Sequence, residues 1–402
     1  CAKTLAEAVT PTLRRYLQQR PVTRRAALTI PDKDILKGCK SSWEQWCHTR
    51  DVIASRHQPL FPNKCRLSEK VLRKYLDKHG DDATASLLQD FTVKDIDINP
   101  KLDTATRNQI TAVFLKYKDV LLKNSHELPR CVLGEDLKPF VHKITFKEGY
   151  KPTRCRSPEY VMGSAKRAIL QAWCAQGVRS GLLVKVENSL WSSRVLCVAK
   201  YTVGTERSGV PDGIRICADL VRANEMKTNV VPLQPHVHLE LARVAGHRYY
   251  ACMDAAKGYW SFATDDVSSA STAVWLPTGS TTALFRFTRA TMGDTSAGTT
   301  MNSRYAEVLA NHLDDNTRKH VSQMADDFCL WADSLDELLR VLDVLLRVFS
   351  KYHITINPKK VQIGYPTVEY WGWEFSKLGT RPTPRNLCPI RQMQVPQTRK
   401  PL

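Results

Sequence analysis

The stretch Met324-Ala325-Asp326-Asp327-Phe328-Cys329-Leu330-Trp331 sets two adjacent carboxylates between apolar runs. This pattern reads as a β-hairpin with the acids at its tip. Other Asp-Asp pairs at 81–82, 265–266 and 314–315 lie among polar or turn residues and read as solvated. Two carboxylates held near a core repel each other unless a cation sits between them. Upstream, Tyr249-Tyr250-Ala251-Cys252-Met253-Asp254 is a second strand-like run ending in an acid. Asp254 is therefore a candidate third carboxylate from a neighbouring strand. Oxygen ligands suit Mg²⁺, and two such ions would activate an attacking oxygen and stabilise a leaving one in phosphoryl transfer. The alternative for the same residues is a carboxylate pair near a helix N-cap with no metal.

Around this hairpin the chain alternates short β-branched or aromatic runs with helical patterns. Residues 193–200, 213–218, 248–254 and 285–288 read as strands, and 161–176 and 298–313 as helices. Ser334 and Glu337 have capping-box spacing. Leu335, Leu338, Leu339, Leu342, Leu345, Leu346 and Phe349 then make a broad apolar helix face. Ile354-Thr355-Ile356 reads as a short strand ended by Asn357-Pro358, and 201–213 as an exposed hairpin tip. Toward the N-terminus, 104–122 has helical apolar spacing, 67–76 and 83–91 suit short helices, and 129–139 reads as a linker.

The 402 residues are 43% apolar and carry a formal charge of +19. That composition excludes wholesale disorder, and a balance this basic favours a polyanionic partner such as nucleic acid. No stretch approaches the roughly 20 apolar residues of a membrane span. The twelve cysteines include no CxxC pair, which argues against a zinc ribbon or a redox motif. Cys39, Cys47, His48, His57 and Cys65 are spaced too irregularly for a standard zinc finger. The chain begins with Cys and is expected to be a fragment of a longer product.

Seven motifs in order over 140–385 resemble the reverse transcriptase of gypsy-type LTR retrotransposons. Val141-His142-Lys143-Ile144 and the Pro/Arg-rich 151–158 resemble its opening motif. Gly177-Val178 through Ser192-Ser193 resembles the following strand and turn. Arg215-Ile216-Cys217-Ala218-Asp219 with Asn224 resembles R-x-C-x-D-Y-R-x-L-N. Asp254 with Gly258-Tyr259 resembles L-D-L-x-x-G-Y, and Met324 to Asp327 sits where the family has Y/F-x-D-D. Ile356 to Lys360 and Tyr370-Trp371-Gly372 resemble L-N-x-x-K-C and F-L-G-H.

The resemblance implies an α+β right-hand polymerase of fingers, palm and the start of a thumb, with a mainly helical basic N-terminal region. It divides the chain into an uncharacterised basic region at 1–100, a helix and linker at 101–139, fingers and palm at 140–385, and a truncated thumb or connection at 386–402. Asp254, Asp326 and Asp327 would be the catalytic metal ligands for two Mg²⁺, with Mn²⁺ as a substitute. Arg215, Lys200, Tyr259, Met292 and Gly293 would bind the incoming nucleotide, with Tyr259 as the gate against a ribose 2′-OH. Lys360, Gly372 and Met324 would bind primer and template. The implied partners are an RNA or DNA template with primer, dNTPs, and other Pol-derived domains (RNase H, integrase) outside this chain, with no membrane. The implied setting is intracellular, in a cytoplasmic particle or the nucleus.

The departures are specific. The aromatic before x-D-D is Met324, and the D-Y-R arginine is Val221. The family's P-F-G-L-x-N-A-P loop stands here as Thr291-Met292-Gly293-Asp294-Thr295-Ser296-Ala297-Gly298. Such a chain is either a divergent active RNA-directed DNA polymerase or a catalytically inactive relic that binds nucleic acid.

Overall fold

A computed structural model describes residues 67–79, 90–154, 162–200, 210–228, 237–384 and 386–387. Nearly all belong to one compact unit, Pro62–Thr383. The readings at 83–91, 201–209 and 386–402, and the cluster of Cys39, Cys47, His48, His57 and Cys65, lie wholly or largely outside the described residues.

The central element is a five-stranded sheet. Its order is Asp97–Ile98, Gln362–Tyr365, Tyr249–Asp254, Asp327–Ala332, Val321–Met324. The two strands that end or begin in acids are neighbours in its interior. They run antiparallel with Asp254 opposite Asp327 and Cys252 opposite Cys329. Alternation sends Ala251, Met253, Phe328 and Leu330 into one core and Tyr250, Cys252, Cys329 and Trp331 into another. Both faces of the sheet are covered, which explains why these strands read as continuous apolar runs instead of alternating ones.

Helix Leu335–Tyr352 covers the first face with Leu338, Leu342, Leu345 and Phe349, all at 2% exposure or less. Each side chain of that size contributes roughly 1.5–3 kcal/mol on full burial. Ser334 accepts from the Glu337 amide at 3.2 Å and fixes the helix start. Helix Ala297–His312 packs beside it. Strands Thr367–Tyr370 and Trp373–Ser376 supply Val368, Tyr370 and Phe375 to the second face.

A second core lies around helix Ser164–Arg179. It includes the antiparallel strands Leu183–Val186, Thr281–Phe287 and Val274–Thr278, and the hairpin of Arg194–Lys200 with Gly213–Asp219. Helix Glu69–His79 adds Leu72 and Tyr75 to this core. The Glu69 carboxylate accepts from the Ala165 amide at 2.7 Å and so caps the Ser164 helix from outside it. Residues 67–79 and the strand Asp97–Ile98 are thus built into the two cores, and no break falls at residue 100.

Four local expectations are corrected. The 104–122 helix stops at Lys116, and a 3-10 turn spans Lys118–Val120. Val120, Leu121 and Leu122 are all buried, which three consecutive helical positions, spread over about 200°, cannot achieve on one face. The 161–176 helix is displaced to Ser164–Arg179 because its cap comes from Glu69, 96 residues away in sequence. Ile354-Thr355-Ile356 forms no strand; Ile356 makes single bridges to Leu121 and Ala255. Residues 129–139 are not a free linker, since Val132 and Leu133 enter the main core and Arg304 donates to the Leu133 carbonyl at 2.7 Å.

Candidate active site

The turn at the tip of the hairpin is Ala325-Asp326, with Ala325 at φ 53°. Gln323 Nε2 donates to the Ala325 carbonyl at 2.7 Å and to Asn302 Oδ1 at 2.8 Å. The Ala255 amide donates to the Asp326 carbonyl at 2.7 Å, tying the turn to the strand that ends at Asp254. The Asn357 amide donates to the Asp254 carbonyl at 3.0 Å. Sheet register and these bonds bring one carboxylate oxygen each from Asp254, Asp326 and Asp327 within 4.8 Å of one another. It is the one such metal-competent cluster of acids, His and Cys among the described residues.

The electrostatics follow from that crowding. Burial, then the charges of Asp326 and Asp254, push the Asp327 carboxyl up to about 6. Burial also raises Asp254, against the pull of Lys360. Lys360 Nζ lies 2.8 Å from both Asp254 oxygens. Lys200 is lowered by burial and then by repulsion from Lys360 and Arg215, and both Lys200 and Lys360 act on the charge of Asp254. Three hard carboxylate donors that repel one another fit a divalent Mg²⁺ or Mn²⁺ and not a thiophilic ion.

Other expected residues gather nearby. Lys200 and Arg215 lie on the two strands of one hairpin, Arg215 opposite Val198 and Lys200 opposite Gly213. Tyr259 sits in the 3-10 turn Gly258–Ser261, half-buried and raised by burial and then by Asp326. A Cβ on Gly258 would meet Met301 Sδ and come within 3.4 Å of Asp326 Cβ, so this turn needs glycine for close packing. Gly293 has φ 106°, and a Cβ there would run into the Ala218 carbonyl oxygen. Met292 is half-buried, and its carbonyl accepts from the Ala218 amide at 3.3 Å. Trp371 and Gly372, at φ 49° and 75°, form the tight turn of the Thr367–Tyr370 hairpin. A cleft of about 290 Å³ is lined by Asp254, Asp327, Lys360, Trp371 and Gly372 among others.

Met324 is the exception. Its side chain is 5% exposed and packed in the core with Trp331 and Tyr370, so it does not reach the cleft as a nucleic-acid contact. Sequence reasoning also missed the supports Asn302 and Gln323, which carry no local signal because their roles depend on the hairpin's approach to helix Ala297–His312.

The arrangement defines a right-hand polymerase fold. Foamy viral protease-reverse transcriptase in complex with double-stranded DNA is similar at a TM-score of 0.61 and 16% identity, over 86% of this chain and 52% of that one. The same viral protein in complex with an RNA/DNA hybrid gives 0.60 at 16%, over 84% and 39%. In sequence, residues 201–375 match the family described as reverse transcriptase (RNA-dependent DNA polymerase). That stretch takes in the strand Gly213–Asp219, reaches into the strand Trp373–Ser376 and includes all three clustered acids. The Transposon Tf2-3 polyprotein of Schizosaccharomyces pombe is 22% identical over 297 residues, 73% of this chain. The Tf2-7 polyprotein of the same yeast is 21% identical over the same length. The chain spans about a fifth of the length of these curated relatives. No described helix is long and apolar enough to cross a membrane.

Proposed function

We propose that the chain is the RNA-directed DNA polymerase portion of a gypsy-type retrotransposon Pol polyprotein, extending a primer 3′-OH with dNTPs inside the cell. The observation that carries this reading is the convergence of Asp254, Asp326 and Asp327 within 4.8 Å at the hairpin tip. Asp254, Asp326 and Asp327 would hold two divalent cations, which would supply the Lewis acidity that phosphoryl transfer needs. The chain's own residues do the positioning. Asp254 and Asp327 are fixed by sheet register, and Asp326 by the turn that Gln323 and Asn302 brace. Arg215 and Lys200 meet the triphosphate of the incoming nucleotide. Tyr259 lies against the sugar, and Met292 and Gly293 line the pocket. Gly372 and its turn hold the primer end, with Lys360 close to the reacting phosphates. The basic charge of the chain binds template and primer mainly through phosphates. An RNA or DNA template is the expected partner, and viral neighbours of this fold are seen with double-stranded DNA and with an RNA/DNA hybrid. RNase H and integrase domains would act alongside as other parts of the same polyprotein.

Primer extension on poly(rA)–oligo(dT) with Mg²⁺ or Mn²⁺, native chain against Asp326→Asn, tests the proposal. Extension that vanishes in the variant supports it. Primer–template binding by both proteins with extension by neither would leave a nucleic-acid-binding relic.

A further inference from the structure

Asp294 is a buried acid that the chemistry above does not use. Its side chain is 1% exposed and lies in the loop before helix Ala297–His312. Asp294 Oδ2 is 2.9 Å from His142 Nε2, and Oδ1 is 2.8 Å from Lys227 Nζ. The Ser296 amide and hydroxyl donate to Oδ1 at 3.0 and 2.8 Å. His142 Nδ1 is in turn 2.8 Å from Thr300 Oγ1. The His142 and Lys227 side chains are 0% and 1% exposed. Burial alone would raise Asp294, but the hydrogen bond from His142 and the charge of Lys227 outweigh it and hold the carboxyl well below its usual range.

An ion pair in such a place is expensive compared with an apolar pair of equal volume. What it adds is direction: hydrogen bonds to a charged group specify one arrangement, whereas apolar contact tolerates sliding. The set joins three separate elements: the strand Val141–His142, the segment just past helix Val221–Glu225, and the first turn of Ala297–His312. Helix Val221–Glu225 itself grips the residue before Asp294, because Asn224 Nδ2 donates to the Gly293 carbonyl at 2.7 Å.

The nucleotide side of this loop is what becomes fixed. Met292 and Gly293 precede Asp294 directly. Gly298 follows on the first helical turn, where a Cβ would lie 3.6 Å from the Tyr259 hydroxyl. Met301, one turn on, packs against Gly258 beside Asp326. Any slip of the loop is therefore passed to the wall that faces Tyr259.

We propose that His142, Asp294 and Lys227 are positioning residues for the nucleotide pocket, and that they hold the loop against Tyr259 so that 2′-deoxynucleotides are preferred over ribonucleotides. This rests on the polymerase reading.

Single-nucleotide addition on a primer–template, with a dNTP and the matching rNTP, tests it in the native chain, Asp294→Asn, Thr300→Val and the double variant Asp294→Leu/Lys227→Met. In Asp294→Asn the KM for dNTP rises about tenfold with kcat within about twofold, and the deoxy preference falls about fivefold, the range of couplings between touching groups. Primer–template affinity stays unchanged. Thr300→Val, which removes only the hydroxyl facing His142, shifts KM and preference about threefold in the same direction and carries the test if Asp294→Asn does not fold. The double variant melts no lower than the native chain yet keeps both defects. Native activity with unchanged KM and preference in the folded single variants overturns the inference alone, as does a double variant restored in both. A native chain that adds neither nucleotide removes the polymerase reading and this inference with it.

Discussion

Lys360 grips both carboxylate oxygens of Asp254 at 2.8 Å, so the acid cluster carries a cation of its own. A divalent ion bound by Asp254 competes with that ammonium for the same oxygens. Lys360→Met is expected to tighten Mn²⁺ binding about three- to fivefold, in keeping with the ~1 kcal/mol of a partly exposed ion pair. Calorimetric titration measures it. Weaker Mn²⁺ binding in the variant would show that Lys360 supports the ion instead of competing with it.

The raised Asp327 carboxyl makes stability depend on pH. Its folded value of about 6 lies above an ordinary aspartate, chiefly through burial. Between about pH 4 and 6 the folded state binds a proton that the unfolded chain has released, so stability falls as pH rises through that window. Without divalent cations, Asp327→Asn should melt higher than the native chain at pH 7, and the gap should close toward pH 4. Parallel melting curves for the two proteins across that range would contradict the assignment.

Gly293→Ala combines a positive φ with a steric conflict at the Ala218 carbonyl. The expected loss is roughly 1–3 kcal/mol of unfolding free energy. Urea denaturation reads it directly. A midpoint equal to the native one would mean the loop can move aside.

Tyr259→Ala opens the space between the 3-10 turn and Gly298. Ribonucleotide incorporation relative to deoxynucleotide should rise by about tenfold or more, as for a pocket that loses a bulky wall. Extension assays with single rNTPs decide the point, and an unaltered ratio would remove Tyr259 as the gate.

Glu69→Ala strips the external cap from helix Ser164–Arg179. The expected cost is about 1 kcal/mol, as for other N-cap losses. Thermal melting monitored at the Trp173 and Trp191 fluorescence would report it. No change would indicate that solvent replaces the carboxylate freely.

Much of the site could be read from residues that are close in sequence. Asp326 and Asp327 are adjacent, and their apolar flanks state the hairpin. Asp254 ends a run whose burial on both faces erased the usual alternation, so the strand was recognisable by composition and length instead. The helix after Ser334 needed only its cap and its Leu spacing. What escaped depends on distant partners. Glu69 sets where the Ser164 helix begins, and nothing within that helix announces it. His142, Lys227 and Asp294 are far apart in the chain, and the only trace of their association is an acid in a loop where the related motif has leucine. Met324 stands where the related motif has an aromatic, and here it packs inward with Trp331 and Tyr370.

The strands bearing Asp254 and Asp327 have a neighbour on each side and a packed layer above and below. The spacing of the two acids is accordingly an inheritance from dozens of apolar side chains, few of which ever meet a substrate. A lineage can therefore rewrite its rim and its loops while the three acids stay in register. Mutational robustness is concentrated under the carboxylates, and freedom to diversify is exported to the surface around them.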